Sequence, residues 1–251
     1  MIEYEVRDGI AFITLNRPER LNAYTKEFFR EMPKIWKQFR DDKDASVAII
    51  NGAGEKAFCV GYDLQSGELS LDDLKRSPMI VPTSHKIWKP IIAAIRGYCV
   101  AGGFWIASAC DLRIASNDAE FGIPESKWNI FSILNVPEPM YQNLPPGIAL
   151  ELLFIGERIS AQRFYEIGFL NRIVQPEELM DTALGMAQKI RENGPLSVKM
   201  DKEIFYQSRD MNRKDIEALN WKLQNRILKS KDNAEGLKAY IEKRKPIYQG
   251  T

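Results

Sequence analysis

Apolar and polar residues alternate along Ile2–Val6 and again along Ile10–Asn16, the period of half-buried strands, and Asp8-Gly9 between them is a hairpin turn signal. Asn16-Arg17-Pro18 ends the second strand. From Thr25 the period changes: Phe28, Met32, Ile35, Trp36 and Phe39 recur at helical spacing, which predicts a helix with Thr25 as its N-cap. Pro33 is expected to kink or restart it. Val47–Ile50 is a short continuous apolar run, as in a strand covered by helices on both faces of its sheet, and Gly52 and Gly54 break it. Gln65–Pro82, with Gly67, Pro78 and Pro82, loses periodicity and reads as a mobile or variable loop. Thr83–Lys89 reads as a helix stopped by Pro90.

Pro90–Ile95 has the length and β-branched content of a buried strand, and Ala101, Gly102 and Gly103 then lead into Phe104–Ala109, the expected start of a buried helix. The glycines either let strand and helix pack closely or leave unpaired helix-start N–H groups open to an anion. Leu112–Ala115 reads as another strand, with Asp118 and Ala119 turning the chain into Phe121-Gly122. Strands followed by helices predict a layered α/β core with partly parallel sheets, although no internal repeat is visible. The second half is helical: Pro146–Ile155 stops at Gly156, Ser160 caps Ala161–Ile167 before Gly168, and Asp181–Glu192 ends at Asn193-Gly194-Pro195. Asp232 with Glu235 is the expected capping box of a last helix through Arg244.

The 251 residues carry 35 Lys and Arg against 34 Asp and Glu, a net charge of +1, which gives no global attraction to nucleic acid or a membrane. Lys199–Lys245 is locally basic, and solvated helix faces are its main reading. No run of about 18 apolar residues occurs. Met1–Gly9 is too charged for a signal peptide, so a cytoplasmic location is expected. Cys59, Cys99 and Cys110 form no CxxC pair, and neither a disulfide framework nor a metal site is expected.

Three stretches carry the functional signal: Lys56–Leu64 (KAFCVGYDL), the RGYCVAGG that opens Arg96–Ser116, and Ala119–Glu125 (AEFGIPE). In order and spacing they resemble the crotonase superfamily, the enoyl-CoA hydratase/isomerase family. NRPERLNAYT, GERISAQRFYEIGFLNRIV and DNAEGLKAYIEKRKPIYQG extend the resemblance over essentially the whole chain. It implies an α/β fold, a crotonase-like spiral core of repeated ββα units over residues 1–195, and a C-terminal helical trimerisation region over 196–251. It also implies a homotrimer or dimer of trimers acting on an acyl-CoA, with coenzyme A as part of the substrate and no separate cofactor.

In this family a thioester carbonyl becomes an enolate, and two backbone N–H groups stabilise the charge on oxygen. Losing one such donor typically costs about 10²–10³ in rate. The resemblance places the oxyanion hole at Val60 and Gly102, the acid/base at Glu125, and the CoA site at Ala23, Gly61, Tyr62 and Asp63. It gives Lys243 a CoA phosphate across a subunit boundary. The chain departs from the hydratases at Trp105, where they carry a second glutamate, and at Ile133, a position usually Gly. Trp105 is either core or, with Phe104 and Trp128, a wall of the acyl pocket. One carboxylate suffices for double-bond isomerisation, whereas hydration asks for a further group to hold water, for which Tyr62, Tyr98 and Tyr141 are candidates. Isomerase and hydratase both stay open. Alternatives are a CoA-ester-binding scaffold without turnover, or another crotonase reaction such as hydrolysis, C–C lysis or decarboxylation. His85 reads as a helix-surface residue, and Cys59 and Cys99 as packing residues.

Overall fold

The computed structural model describes residues 1–132 and 143–250. In chain order the strands are β1 (Ile2–Arg7), β2 (Ile10–Leu15), β3 (Val47–Gly52), β4 (Ala57–Cys59), β5 (Ile91–Ile95), β6 (Tyr98–Val100), β7 (Leu112–Ser116), β8 (Glu120–Gly122), β9 (Ile159–Ser160) and β10 (Arg172–Val174). β1 and β2 form the expected hairpin, with Asp8 and Gly9 at φ 47° and 70°. These positive angles match the twist of the flanking strands. One sheet runs β1-β2-β3-β5-β7-β10, parallel from β2 onwards. A second runs β4-β6-β8-β9, parallel across β4, β6 and β8. Successive strands therefore alternate between sheets: β3 then β4, β5 then β6, β7 then β8. That alternation is the repeated unit of the spiral. The central strands β3 and β5 carry continuous apolar runs, Val47–Ile50 and Ile91–Ile95, and every residue of β5 is buried.

The helices are α1 (Phe28–Asp41), α2 (Leu71–Arg76), α3 (Gly102–Ser108), α4 (Pro146–Ile155), α5 (Ala161–Glu166), α6 (Leu179–Arg191), α7 (Pro195–Gln207), α8 (Arg213–Leu228) and α9 (Lys231–Glu242). α1 buries Phe28, Phe29, Met32, Trp36 and Phe39, and runs through Pro33 as one helix, so the chain does not restart there. Proline removes one backbone bond in the second turn, and burial of five large side chains outweighs it. Thr25 is not the side-chain cap either. Its hydroxyl bonds Glu27, and its carbonyl accepts from Phe28 N at 3.1 Å.

The segment read as a loop, residues 65–82, is instead a chain of short helical turns. Ser70 and Asp73 form a capping box for α2, and Ser77–Ile80 is a 3-10 turn tied to α1 by the Trp36 indole N–H donating to Ile80 O at 2.7 Å. Expected as a helix over 83–89, the next segment holds only the 3-10 turn Pro82–His85, because Lys86 takes a left-handed φ of 52°. His85 is buried rather than on the surface, with Nε2 2.8 Å from Met79 O. No helix among the described residues is long and apolar enough to cross a membrane.

The chain divides into two units, one of Met1–Ile87 and Ile91–Ala187, the other of Trp88–Pro90 and Gln188–Thr251. The second has its own small core of Leu196, Met200 and Leu223. α9 is capped by Ser230, not by the Asp232 and Glu235 pair. Asp232 instead accepts from the N–H groups of Gln249 and Gly250, each at 2.7 Å, and Glu235 pairs with Arg244. Those carboxylates fasten the C-terminal segment, a role that spacing alone does not reveal.

Candidate active site

Three parallel strands of the second sheet organise the site. Cys59 on β4 aligns with Cys99 on β6, which aligns with Phe121 on β8. The residues that follow each strand leave the sheet at the same, carboxyl, end: Val60, then Ala101-Gly102, then Pro124-Glu125. Ligands commonly bind outside such ends.

The stretch NRPERLNAYT braces the first of these exits. Leu21 and Asn22 take left-handed φ values of 53° and 55°, and buried Asn22 accepts from Arg17 N and donates to the carbonyls of Ala53 and Ala57. Arg17 donates to Ala23 O at 3.2 Å and to Asp63 Oδ2 at 2.8 Å, and this hydrogen bond holds the Asp63 carboxyl below its usual range. Tyr24 N donates to Gly61 O and Asp63 N to Tyr24 O, each at 2.9 Å. Residues 60–63 are thus stitched to residues 22–24. Ala23, Gly61, Tyr62 and Asp63 share this one backbone frame.

Gly61 and Gly102 are where the chain has no room. A Cβ at Gly61, whose φ is 86°, would fall 2.7 Å from Ala101 Cβ and 3.0 Å from Gly102 N. A Cβ at Gly102 would fall 1.9 Å from Tyr24 Oη. Ala101, just before α3, is held at φ 50°, ψ −126°, a region costly for a residue with a side chain, and its N–H donates to Gly122 O at 2.9 Å. The strain sets the orientation in which the next residue enters the helix. Among the described residues, neither the Val60 nor the Gly102 amide donates to a protein acceptor.

Glu125 lies on the 3-10 turn Pro124–Trp128. Its Oε2 is buried without a hydrogen-bond partner, and burial pushes its carboxyl up to about 7. Val60, Gly102 and Glu125 line one cavity of about 200 Å³, together with Tyr24 and Tyr62. Leu64, Leu69, Leu74, Trp128, Ile130 and Phe131 supply much of its apolar lining. A carboxyl near neutrality with one oxygen unpaired can both take and return a proton there.

The structure distributes the remaining sequence candidates differently. Trp105, 3% exposed, packs edge-on against Phe104 in the hydrophobic core and is not among the residues lining the cavity. Phe104 stacks on Phe164 and Phe169 within the same core, so of the aromatic trio only Trp128 reaches the cavity. Tyr62 donates its hydroxyl to Gly67 O at 2.7 Å, and Tyr98 lies under the Arg158 guanidinium. Ile133, Glu138 and Tyr141 lie outside the described residues. Lys243 is exposed at the end of α9, with φ 54°. Cys59 and Cys99 are fully buried, and burial pushes the Cys59 thiol up to about 12. Sequence reasoning missed Tyr24, whose only signal is its place directly after Ala23.

The family model for enoyl-CoA hydratase/isomerase matches residues 5–251. The chain is 37% identical to the (E)-benzylidenesuccinyl-CoA hydratase of Thauera aromatica, covering 99% of each. It is also 37% identical to the carnitinyl-CoA dehydratase of Proteus mirabilis, covering 97% of this chain and 96% of the other. A solved enoyl-CoA hydratase from Bacillus anthracis superposes with a TM-score of 0.93 at 30% identity, over 100% of this chain and 99% of that one. The chain belongs to the enoyl-CoA hydratase/isomerase family of the crotonase superfamily. It is an acyl-CoA enzyme of that family.

Proposed function

We propose that the protein reversibly hydrates a 2-enoyl-CoA through a thioester enolate, with Val60 and Gly102 N–H groups as the oxyanion hole and Glu125 as the single acid/base. The observation that carries this reading is the Glu125 carboxyl: buried with Oε2 unpaired, raised to about 7, and in one cavity with both amides. In hydration the carboxylate takes a proton from water as its oxygen bonds to the β-carbon, and the electron pair of the double bond moves through the α-carbon onto the thioester oxygen. The carboxyl then returns a proton to the α-carbon as the enolate collapses. Both directions start from the carboxylate, so kcat/KM falls below pH about 7. The naming of the two relatives as a hydratase and a dehydratase favours hydration over other uses of the same enolate.

Isomerisation is the second reading, supported by Trp105 standing where hydratases carry the other glutamate. There the same carboxylate moves a proton between carbons 2 and 4 and no water adds. Ala23, Gly61, Tyr62 and Asp63 would hold coenzyme A beside the oxyanion loop. Assembly into a trimer or dimer of trimers is part of the proposal. Phe205, Trp221, Leu237, Tyr240 and Ile241 are all more than half exposed on the helical unit, the kind of apolar surface that association covers. In such an assembly exposed Lys243 would meet a phosphate of a neighbour's CoA. Incubation with 2-enoyl- and 3-enoyl-CoA panels in deuterated water tests the reaction, read by mass spectrometry. Mass gain by one water with label at the α-carbon supports hydration. Double-bond migration without water supports isomerisation, and unaltered, unlabelled esters overturn both.

A further inference from the structure

Two polar side chains of the cavity are used neither by the family's motifs nor by the proposed mechanism: Ser77, whose hydroxyl is given to Leu74 O, and Tyr24. Its ring is stacked on Phe28 with centroids 4.6 Å apart and is met edge-on by Phe29 at 5.6 Å. Its backbone is bonded on both sides to the oxyanion loop, through Gly61 O and Asp63 N. The residue is only 4% exposed, yet it lines the cavity, and its hydroxyl has no hydrogen-bond partner among the described residues. A phenyl ring would pack there equally well. The hydroxyl is open to the cavity, where ligand or solvent can accept from it.

The position of Oη selects that partner. It occupies the space that a Cβ at Gly102 would take. In a helix the Cα–Cβ bond tilts toward the N-terminus, the side to which the unpaired first-turn N–H also points. Tyr24 Oη and the Gly102 amide hydrogen therefore face the same small volume. Burial first, and then the neighbouring Cys59, Glu125 and Tyr62, raise the Tyr24 phenol well above its ordinary range, so it stays a neutral O–H donor when Glu125 is ionised. Tyr62 offers no substitute, since its O–H is already given to Gly67.

Resting on the family's enolate chemistry as read above, we propose that Tyr24 is a third oxyanion donor, its hydroxyl hydrogen-bonding the thioester oxygen beside the Gly102 and Val60 amides. In this role it shares the charge on the enolate and adds a donor that most of the family's motif does not specify. It does not hold the water that attacks the β-carbon.

The test is Tyr24→Phe, which keeps the ring packing, read with bound crotonyl-CoA and cinnamoyl-CoA. In the parent the thioester carbonyl stretch moves to lower frequency on binding, and in Tyr24→Phe it shifts back toward the free-ester value. Turnover and exchange of the α-proton with deuterated water fall together by roughly 10²-fold while KM changes only a few fold. Replacing Tyr24 by 3-fluorotyrosine, a stronger donor that packs alike, moves the carbonyl further from the free-ester value. An unchanged carbonyl frequency in both variants overturns the proposal, as does a loss of hydration with α-proton exchange intact, the signature of a water-holding role. The carbonyl readout needs no turnover: a Tyr24-dependent shift in a protein that hydrates and exchanges nothing would leave Tyr24 as the donor and remove the proposed reaction. Failure of the parent to bind either ester overturns both.

Discussion

The two walls of the cavity are built by different means. On one, Val60, Gly102 and Tyr24 are placed by backbone: parallel strand ends, the Gly61–Tyr24–Asp63 hydrogen bonds, and close approaches that leave no room for a Cβ. On the other, Leu64, Trp128 and Phe131 stand at the mouth with 69%, 72% and 84% of their surface exposed. A wall placed by backbone is intolerant of any change in chain path, including one forced by an added side chain. A side-chain wall is instead sensitive to substitution itself. On the proposed reading, the oxyanion chemistry belongs to the first and acyl selection to the second.

The sharpest way to break that division is Glu125→Gln, which keeps shape and cannot take a proton. Turnover and α-proton exchange are expected to fall about 10²–10⁴-fold, while CoA-ester affinity stays within a few fold by calorimetry. Stability supplies an independent check. The folded carboxyl titrates at about 7 against an ordinary value of 4.5, so the native state binds more protons between these values and stability declines as pH rises through that window. The decline is on the order of 3 kcal/mol. Glu125→Gln removes it, so the variant unfolds at a higher denaturant concentration than the parent at pH 8, and the advantage disappears at pH 4. A parent-like pH dependence of stability in the variant would mean that the carboxyl is hydrated.

Gly102→Ala attacks the first wall without touching a reacting group. The added methyl meets Tyr24 Oη at 1.9 Å, and the stacked ring has nowhere to go. The helix start must move, and with it the oxyanion N–H, costing about 10²–10³ in kcat. Combining it with Tyr24→Phe removes the nearest atom but leaves the ring at 2.7 Å, so only partial recovery of the fold, by circular dichroism, is expected.

How much of this was legible in the sequence follows the same division. The motifs around Val60, Gly102 and Glu125 are readable because backbone constraints demand fixed residue types at fixed spacing. Glycine at 102 is required by Tyr24, and Asn22 by the carbonyls of Ala53 and Ala57. Tyr24 itself was not legible: its hydroxyl meets a residue distant in sequence, and no local period reports that. The spiral repeat was invisible for a related reason, since Val47–Ile50 and Ile91–Ile95 fill equivalent layers with different apolar side chains, and packing asks only for volume. Residues 65–82 misled because Ser70-x-x-Asp73 is a capping signal buried in a stretch too short for periodicity to register. Pro33 does not restart the helix, because a buried face outweighs one missing hydrogen bond.

Two tryptophans sharpen the comparison further. Trp105, the position that the motif resemblance matches to the hydratases' second glutamate, is 3% exposed in the core, so Trp105→Ala is expected to destabilise the protein by about 3–5 kcal/mol in denaturant unfolding. Any loss of activity should then track the unfolded fraction and be recovered at low temperature. Selective loss of hydration in a protein as stable as the parent would instead place Trp105 at the reacting carbons.

Trp128 should give the smallest effect, and the most specific. It lines the cavity yet is 72% exposed, so Trp128→Ala removes apolar contact with an acyl tail and little folding energy, with stability changing by no more than about 0.5 kcal/mol. An acyl group touching the indole on one face loses roughly 1–2 kcal/mol of contact, a rise in KM on the order of 5- to 30-fold. Crotonyl-CoA, with only a methyl beyond its double bond, should show less of it than cinnamoyl-CoA, whose phenyl ring offers far more apolar surface. kcat should be unchanged for both, because the backbone wall is intact. The quantity to measure is the ratio of kcat/KM values for the two esters in parent and variant. A ratio unchanged by Trp128→Ala would mean that acyl groups leave the cavity by another route, and that the mouth between Leu64 and Phe131 does not select them.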